Sequence, residues 1–535
     1  MHHEVILILG IPIDNLTMDE TVDQIFNMIN TYELDERPKL VATVNVDFLV
    51  NTLKWFSRKP RHPELLDILR RANLVTADGM PLIWLSKLIG TPLKERVAGA
   101  DLVPRLAKEA AKQNKSIYFL GGSGDVGKQA AEILKRKNKD LIIAGTNSPF
   151  VHVQGEEIEY AHNTDLQIVD RINKSGADIL LIAFGNPKQE IWFQRNKNQI
   201  KTAVTIGIGG TFEFITGSVS RAPTWMQKFG LEWIFRITQD PKRLWKRYFI
   251  GLLKFSFMIL PVICYYKYRR FLFKFSKKDK ISEKKFQSIK STGSTDSSIR
   301  ALKLQIIKNT GPTDSSIRAI TLPNLFDAST VEQIRDEMQK IVRLNSNIVL
   351  DFEEVNFIDS SGLGYIVRLW RLAQKEKKGL YITGIKQSAK RVFKLTRVID
   401  LFKDKICSDS SEVINKIQES SKSPFYYLVH TKKDYTMVSL FGTLDADQMQ
   451  IIDLKRVFDN IQDSNCILDL TKLTFVDSSG VMFFLKINKH VLKHNKTCIL
   501  FGLQDNVRQM FKIIRLIKLF KITDTFHNAE KMLNA

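Results

Sequence analysis

The stretch SIYFLGGSGDVGKQAAEILKRKNKDLIIAG (116–145) sets the fold class. It reads strand, glycine-rich turn, helix, strand. A short apolar run is followed by GKQAAEILKRKN, whose apolar residues recur at helical spacing, and then by DLIIAG (140–145). The alternation extends in both directions. Apolar β-rich runs stand at VILIL (5–9), KLVATVN (39–45), DILLIAFG (178–185) and AVTIGIGG (203–210), with helical patterns such as MDETVDQIFNMI between them. Strands that are apolar on both faces and separated by helices predict a parallel sheet covered on both sides, hence an α/β domain over residues 1–220. Several of these runs end in Gly, Asn or Asp, and such carboxyl ends are where open α/β sheets bind ligands.

The remaining chain needs more than one further core, since 535 residues exceed what a single core supports. Residues 221–290 hold 18 Lys/Arg against 4 Asp/Glu, which is +14 of the chain's +23. Inside them lies YFIGLLKFSFMILPVICYY (248–266), flanked by Lys242, Arg243, Lys246 and Arg247 before it and by Lys267, Arg269, Arg270 and Lys274 after it. An element lying in a membrane interface fits that pattern best, with bases on anionic headgroups. A spanning helix and a buried core helix are the alternatives; Lys254, Pro261 and bases on both flanks count against a span. Nucleic acid is not expected, because the bases surround an apolar segment rather than line an aromatic sheet. The start, MHHEVILILGIPID, lacks the basic n-region of a signal peptide. Four cysteines without CxxC argue against a disulfide scaffold or a zinc site.

A polar, basic linker spans 276–300, and TGSTDSSIRA (292–301) recurs as TGPTDSSIRA (310–319) as structural filler. A longer repeat follows. LDFEEVNFIDSSG (350–362) matches LDLTKLTFVDSSG (468–480) at an offset of 118, a register that Phe393/Phe511, Lys394/Lys512 and Arg397/Arg515 keep. Two copies of one small α/β domain, 301–420 and 421–535, are expected. Each opens a helix with Asp-Ser-Ser-Gly, which on its own reads as an N-cap.

In the N-terminal domain Thr43-Val44-Asn45, Thr76-Ala77-Asp78-Gly79 and Gly185-Asn186-Pro187-Lys188-Gln189-Glu190 each follow a strand. The turn GGSGDVG and the glycines at 207, 209 and 210 read either as tight loops or as phosphate cradles. An Asp-Gly pair at a strand–helix junction is often only a turn. Spacing alone supports a nucleotide-using α/β enzyme.

GIPIDNLTMDETV, the Thr43/Asn45 turn, ADGMP, ERVAGADL (95–102), FGNPKQE, GIGGTFEFITG and RAPTWMQKFGLEWIFRITQDPKRLWKRY occur in that order. Together they resemble the WecG/TagA/CpsF glycosyltransferases over about residues 4–250. The resemblance implies a Rossmann-like domain that moves a sugar from a UDP donor to a polyprenyl-diphosphate-linked acceptor, with inversion and without a metal or other cofactor. It makes Asp78 the general base, with Thr43 and Asn45 beside it. Gln189, Gly99, Asp101 and Gly185 become substrate-binding residues, and Arg221, Arg236, Arg243 and Arg247 become diphosphate-holding bases of a C-terminal appendage spanning 221–275. The sequence's Asp-x-Asp, Asp445/Asp447, lies far away in the last repeat, and WFSRKPRHP (55–63) looks like an insertion.

The repeats resemble STAS domains of the anti-sigma-factor-antagonist type. That resemblance implies phosphorylation of Ser360 and Ser478, presented at the surface to a kinase or an anti-sigma-type partner. The whole reads as a bacterial transferase, peripheral on the cytoplasmic face of the membrane, with homo-oligomerisation left open. A non-catalytic sugar-nucleotide sensor signalling through the repeats is the alternative.

Overall fold

The computed structural model describes residues 3–534 apart from 33–36, 55–59, 154–157, 230, 277–302, 308–316, 343–345, 377, 403, 421–424, 433, 451 and 462–463. The linker 277–300 and most of the DSSIRA duplication therefore lie outside the described residues.

The chain begins with a hairpin, β1 (Val5–Ile8) and β2 (Ile11–Asp14), paired antiparallel. VILIL is thus not a strand of the parallel sheet. Its turn residues Leu9 and Gly10 both have positive φ, 50° and 84°, the pair a two-residue I′ turn demands. After α1 (Met18–Asn30), closed at its start by the Thr17/Glu20 capping box, come β3 (Lys39–Val44), α2 (Val46–Thr52), α3 (Pro63–Arg71), β4 (Leu74–Ala77), α4 (Met80–Ile89) and α5 (Gly99–Lys112). Next are β5 (Ser116–Gly121), α6 (Val126–Lys137), β6 (Ile142–Asn147), α7 (Ile158–Lys174), β7 (Ile179–Ala183), α8 (Lys188–Asn196), β8 (Val204–Gly207) and α9 (Thr211–Thr216).

The six strands β3–β8 form one parallel sheet in the order β4-β3-β8-β7-β5-β6. Successive residues enter different cores. Leu40, Ala42, Val44, Leu180 and Ile182 face the layer of α2, α3, α4, α7 and α8. Val41, Ile179 and Leu181 face α1, α5, α6 and α9. Burial on both faces is what made these runs continuously apolar.

Short helices α10 (Thr224–Lys228) and α11 (Glu232–Gln239) lead into α12 (Pro241–Ser276). Phe255, Met258, Val262 and Tyr266, at helical spacing, seat one face of α12 in the first of those cores. Phe249, Leu253, Phe257 and Leu260 on other faces are exposed.

The first repeat has β9 (Lys303–Ile307), β10 (Ile317–Thr321), β11 (Leu325–Phe326), α13 (Ala328–Val342), β12 (Asn347–Asp351), β13 (Phe357–Ile358), α14 (Ser360–Lys375), β14 (Leu380–Thr383), α15 (Gln387–Leu395) and α16 (Ser410–Ser420). Its sheet runs β14-β12-β10-β9. The second has β15 (Phe425–Thr431), β16 (Tyr435–Leu444), α17 (Ala446–Met449), α18 (Leu454–Ile461), β17 (Asn465–Val476), α19 (Ser478–Lys493), β18 (Cys498–Phe501), α20 (Asp505–Ile513), β19 (Lys521–Thr523) and α21 (Phe526–Asn534), in the order β15-β16-β17-β18-β19.

The DSSG motifs superimpose in function as well as in sequence. Asp359 Oδ1 accepts the Gly362 N–H at 2.9 Å and Asp477 Oδ1 the Gly480 N–H at 2.8 Å, so the aspartates are the N-caps. A side chain on Gly362 would strike the Phe326 carbonyl, and one on Gly480 the Leu444 carbonyl. The glycine lets the helix start lie against the end of a neighbouring strand, β11 in the first repeat and β16 in the second.

Candidate active site

The carboxyl ends of β3, β4, β7 and β8 converge on a cleft of about 520 Å³ that α10, α11 and the start of α12 wall in. Thr43, at the end of β3, donates its hydroxyl to the Gly207 carbonyl at 2.9 Å and ties the two strands together. Asn45 caps α2, its Oδ1 accepting the Asp47 N–H at 3.0 Å. Asp78 follows β4, and its N–H donates to the Val44 carbonyl at 2.8 Å, which places the residue at the cleft floor. Burial pushes that carboxyl up to about 7, against the pull of Arg96 and Arg236.

Beside it runs a chain of alternating charge. Arg221 meets Asp101 at 2.6 Å, Asp101 meets Arg96 at 2.9 Å, Arg96 meets Glu232 at 3.4 Å, and Glu232 meets Arg236 at 3.3 Å. Arg236 also donates to the Tyr248 hydroxyl at 3.3 Å and stands over the Phe214 ring at 4.5 Å. Three guanidiniums against two carboxylates leave this wall positive. A ligand bearing a diphosphate would meet fixed, partly desolvated donors here.

Gln189 occupies the opposite wall. Its Oε1 accepts the Gly209 N–H at 3.1 Å and its Nε2 donates to Glu190 at 2.6 Å, so it holds the Gly207–Gly210 turn in shape and has one amide hydrogen left for a ligand. Burial pushes Glu190 up to about 7, hydrogen bonds from Gln189 and Asn186 opposing it.

Of the residues singled out from sequence, Thr43, Asn45, Asp78, Gly185, Gln189, Arg221 and Arg236 line this one cleft. Gly99 and Asp101 do not. A Cβ on Gly99 would press on Thr211 at 3.0 Å, a packing requirement, and Asp101 is spent on Arg96 and Arg221. Arg243 and Arg247 lie on α12, with side chains outside the described residues. The turn GGSGDVG is absent from the lining; Gly127 abuts the Gly121 carbonyl and Gly122 abuts Phe212, so these glycines serve close packing. Sequence reasoning missed Arg96 and Glu232, although Arg96 stands inside ERVAGADL and Glu232 four residues before Arg236. Among the described residues no cluster of three or more His, Cys, Asp or Glu is placed to hold a metal ion. The Asp445/Asp447 pair is structural: Asp445 caps α17 and Asp447 bonds outward to the N-terminal domain.

The DSSG serines are not presented at the surface. Ser360 and Ser478 are each 1% exposed. The Ser478 hydroxyl donates to Glu64 of α3 at 2.7 Å, and the neighbouring Ser361 hydroxyl reaches Glu4 ahead of β1. The N-terminal domain covers both motifs.

Comparison with known proteins agrees with this architecture. The profile of the Glycosyl transferase WecG/TagA/CpsF family matches residues 6–267, and the STAS domain profile matches 311–413 and 426–529. An N-acetylglucosaminyldiphosphoundecaprenol N-acetyl-beta-D-mannosaminyltransferase of Bacillus spizizenii is 29% identical over 238 residues, 44% of this chain and 85% of its own. The enzyme of the same name from Staphylococcus aureus is 28% identical over 258 residues, 48% of this chain and 90% of its own. A solved structure of the anti-sigma factor antagonist SpoIIAA in its unphosphorylated form matches at TM-score 0.18 and 20% identity, covering 20% of this chain and 96% of that one. The chain thus carries, over residues 6–267, a domain of the WecG/TagA/CpsF glycosyltransferase type, with two STAS domains behind it.

Proposed function

We propose that the chain is an inverting transferase that moves a sugar, N-acetylmannosamine first among candidates, from a UDP donor to a polyprenyl-diphosphate-linked acceptor. The observation that carries this is Asp78: a carboxyl raised to about 7 on the floor of a cleft whose wall is lined with arginines. In this reading Asp78 takes the proton from the acceptor hydroxyl as its oxygen attacks the anomeric carbon, and the bond to UDP breaks on the far side. Arg96, Arg221 and Arg236 offset charge on the diphosphate, so no cofactor is invoked. The sugar and the acceptor class are those of the two similar enzymes from Bacillus spizizenii and Staphylococcus aureus. A donor screen with the full chain and a short polyprenyl-diphosphate N-acetylglucosamine acceptor tests it. Transfer from UDP-N-acetylmannosamine is expected, whereas UDP binding without transfer from any donor would favour the sensor reading.

The pH dependence follows from the same carboxyl. Asp78 acts as a base only when deprotonated, and burial raises its pKa, so kcat/KM should fall about tenfold per unit below pH 7 and level off above it. A profile flat from pH 5.5 to 8.5 would remove Asp78 from that role.

Membrane attachment belongs to the same proposal. Leu244–Tyr268 is long and apolar enough to cross a bilayer. Yet Phe255, Met258, Val262 and Tyr266 are seated on protein, and the Tyr265 hydroxyl reaches the Ser388 carbonyl at 3.3 Å, so one face of the helix is turned to protein rather than to lipid. Exposed Trp225, Phe229, Trp245, Phe249, Phe257 and Leu260 suit a helix lying in the cytoplasmic interface. Charge reversal of Lys242, Arg243, Lys246 and Arg247 should release the protein from anionic vesicles, since each base near the surface contributes about 1 kcal/mol. Retention after both reversal and a high-salt wash would favour a span. The STAS pair is read as a regulatory module in which a kinase modifies Ser478 when that face is uncovered.

A further inference from the structure

We infer that the two STAS domains attach to the transferase differently: the first is a fixed part of its fold, whereas the face of the second around Ser478 is a separable docking surface whose partner is the transferase of the same chain.

The first domain shares a core with the transferase. Ile6 and Ile8 of β1 belong to one continuous apolar cluster with Leu363, Ile366 and Leu369 of α14. Gly364 makes the contact, because any side chain there would collide with the Val5 carbonyl. Arginines seal the rim: Arg371 donates to the Arg70 carbonyl at 2.6 Å, Arg70 to the Arg397 carbonyl at 2.6 Å, and Arg397 to the Lys54 carbonyl at 2.8 Å.

The second domain lacks that bond. At the position equivalent to Gly364 it has Met482, and among the described residues its apolar clusters contain no transferase residue. What holds it is polar. The Ser478 N–H and hydroxyl both donate to Glu64, at 3.1 and 2.7 Å. Asp447 meets Arg37 at 2.9 Å, Asn198 at 2.9 Å and Lys197 at 3.5 Å, and Gln509 donates to the Arg61 carbonyl at 3.0 Å. Partly exposed ion pairs of this kind contribute little each. Glu64 also lies near Asp477; burial raises both carboxyls, and Glu64 raises that of Asp477 further. Negative charge added at residue 478 would be buried against that pair without the hydroxyl that now donates to Glu64, and would drive the surfaces apart. A modifying enzyme reaches Ser478 only once the domain is undocked. That last consequence rests on reading the repeats as switch modules; the docking does not.

Amide hydrogen exchange on the full chain tests the inference. Asp447→Lys and, separately, Ser478→Asp should speed exchange at least about tenfold in helix 63–71 and at the start of helix 478–493. Lys197→Asp added to the first variant, and Glu64→Gln added to the second, should restore protection, which a misfolded domain would not allow. Residues 5–14 and 360–375 should stay protected throughout. Unchanged exchange in both single variants, acceleration that neither partner substitution reverses, or joint loss of protection at residues 5–14 and 478–493 would each overturn it. Mass spectrometry of the native protein separates the two ideas, since Ser478 without phosphate would end the switch reading and leave the docking standing.

Discussion

Asp78→Asn is expected to lower turnover by about 10²–10⁴ while UDP affinity holds or rises slightly. Asparagine matches the shape of the carboxylate, and the backbone bond from residue 78 to Val44 does not involve the side chain. What disappears is the ability to take a proton. Loss of one negative charge beside Arg96 and Arg236 also makes the cleft more positive, which favours a diphosphate. Single-turnover rates and calorimetric UDP titration separate the two effects. Near-normal turnover would remove Asp78 from the chemistry, and lost UDP binding would make it a donor-binding residue instead.

Gly364→Val should have the largest effect on stability. The new side chain would drive into the Val5 carbonyl, a backbone atom of a hairpin held on its other side by β4 and α3. Overpacking of this kind costs about 1–3 kcal/mol, and a backbone obstacle that cannot change rotamer puts it at the upper end. At about 2–4 °C per kcal/mol the first melting transition should fall by about 6–12 °C, with hydrogen exchange in residues 5–14 rising together with that in 360–375. An unchanged transition would mean that the hairpin yields freely and that the shared core contributes little.

The parallel sheet was legible because its strands are apolar on both faces, and the DSSG repeat because its register holds without a gap. The hairpin was misread for a physical reason. VILIL has the composition of a buried parallel strand, and only the Leu9-Gly10 turn marks it as half of an antiparallel pair. Asp78, Thr43, Asn45 and Gln189 could be found because each follows a strand and the family resemblance marks it. Arg96 and Glu232 could not, since their part in the site depends on α11 folding back over the cleft. Nothing local distinguishes Ser478 from an exposed cap residue; its burial depends on Glu64, distant in sequence.

The shared core also imposes an order of events during synthesis. Residues 5–14 leave the ribosome well before the helix that covers them, which begins roughly 350 residues later. At about 5–20 residues per second that delay is about 20–70 s. Once residues 204–207 have completed the parallel sheet, a short apolar hairpin still waits beside it without its lid, which invites chaperones or neighbouring nascent chains. A fragment ending near residue 275 would keep that unfinished surface permanently. Assays of the transferase are therefore better made on a chain that extends at least through the first STAS domain.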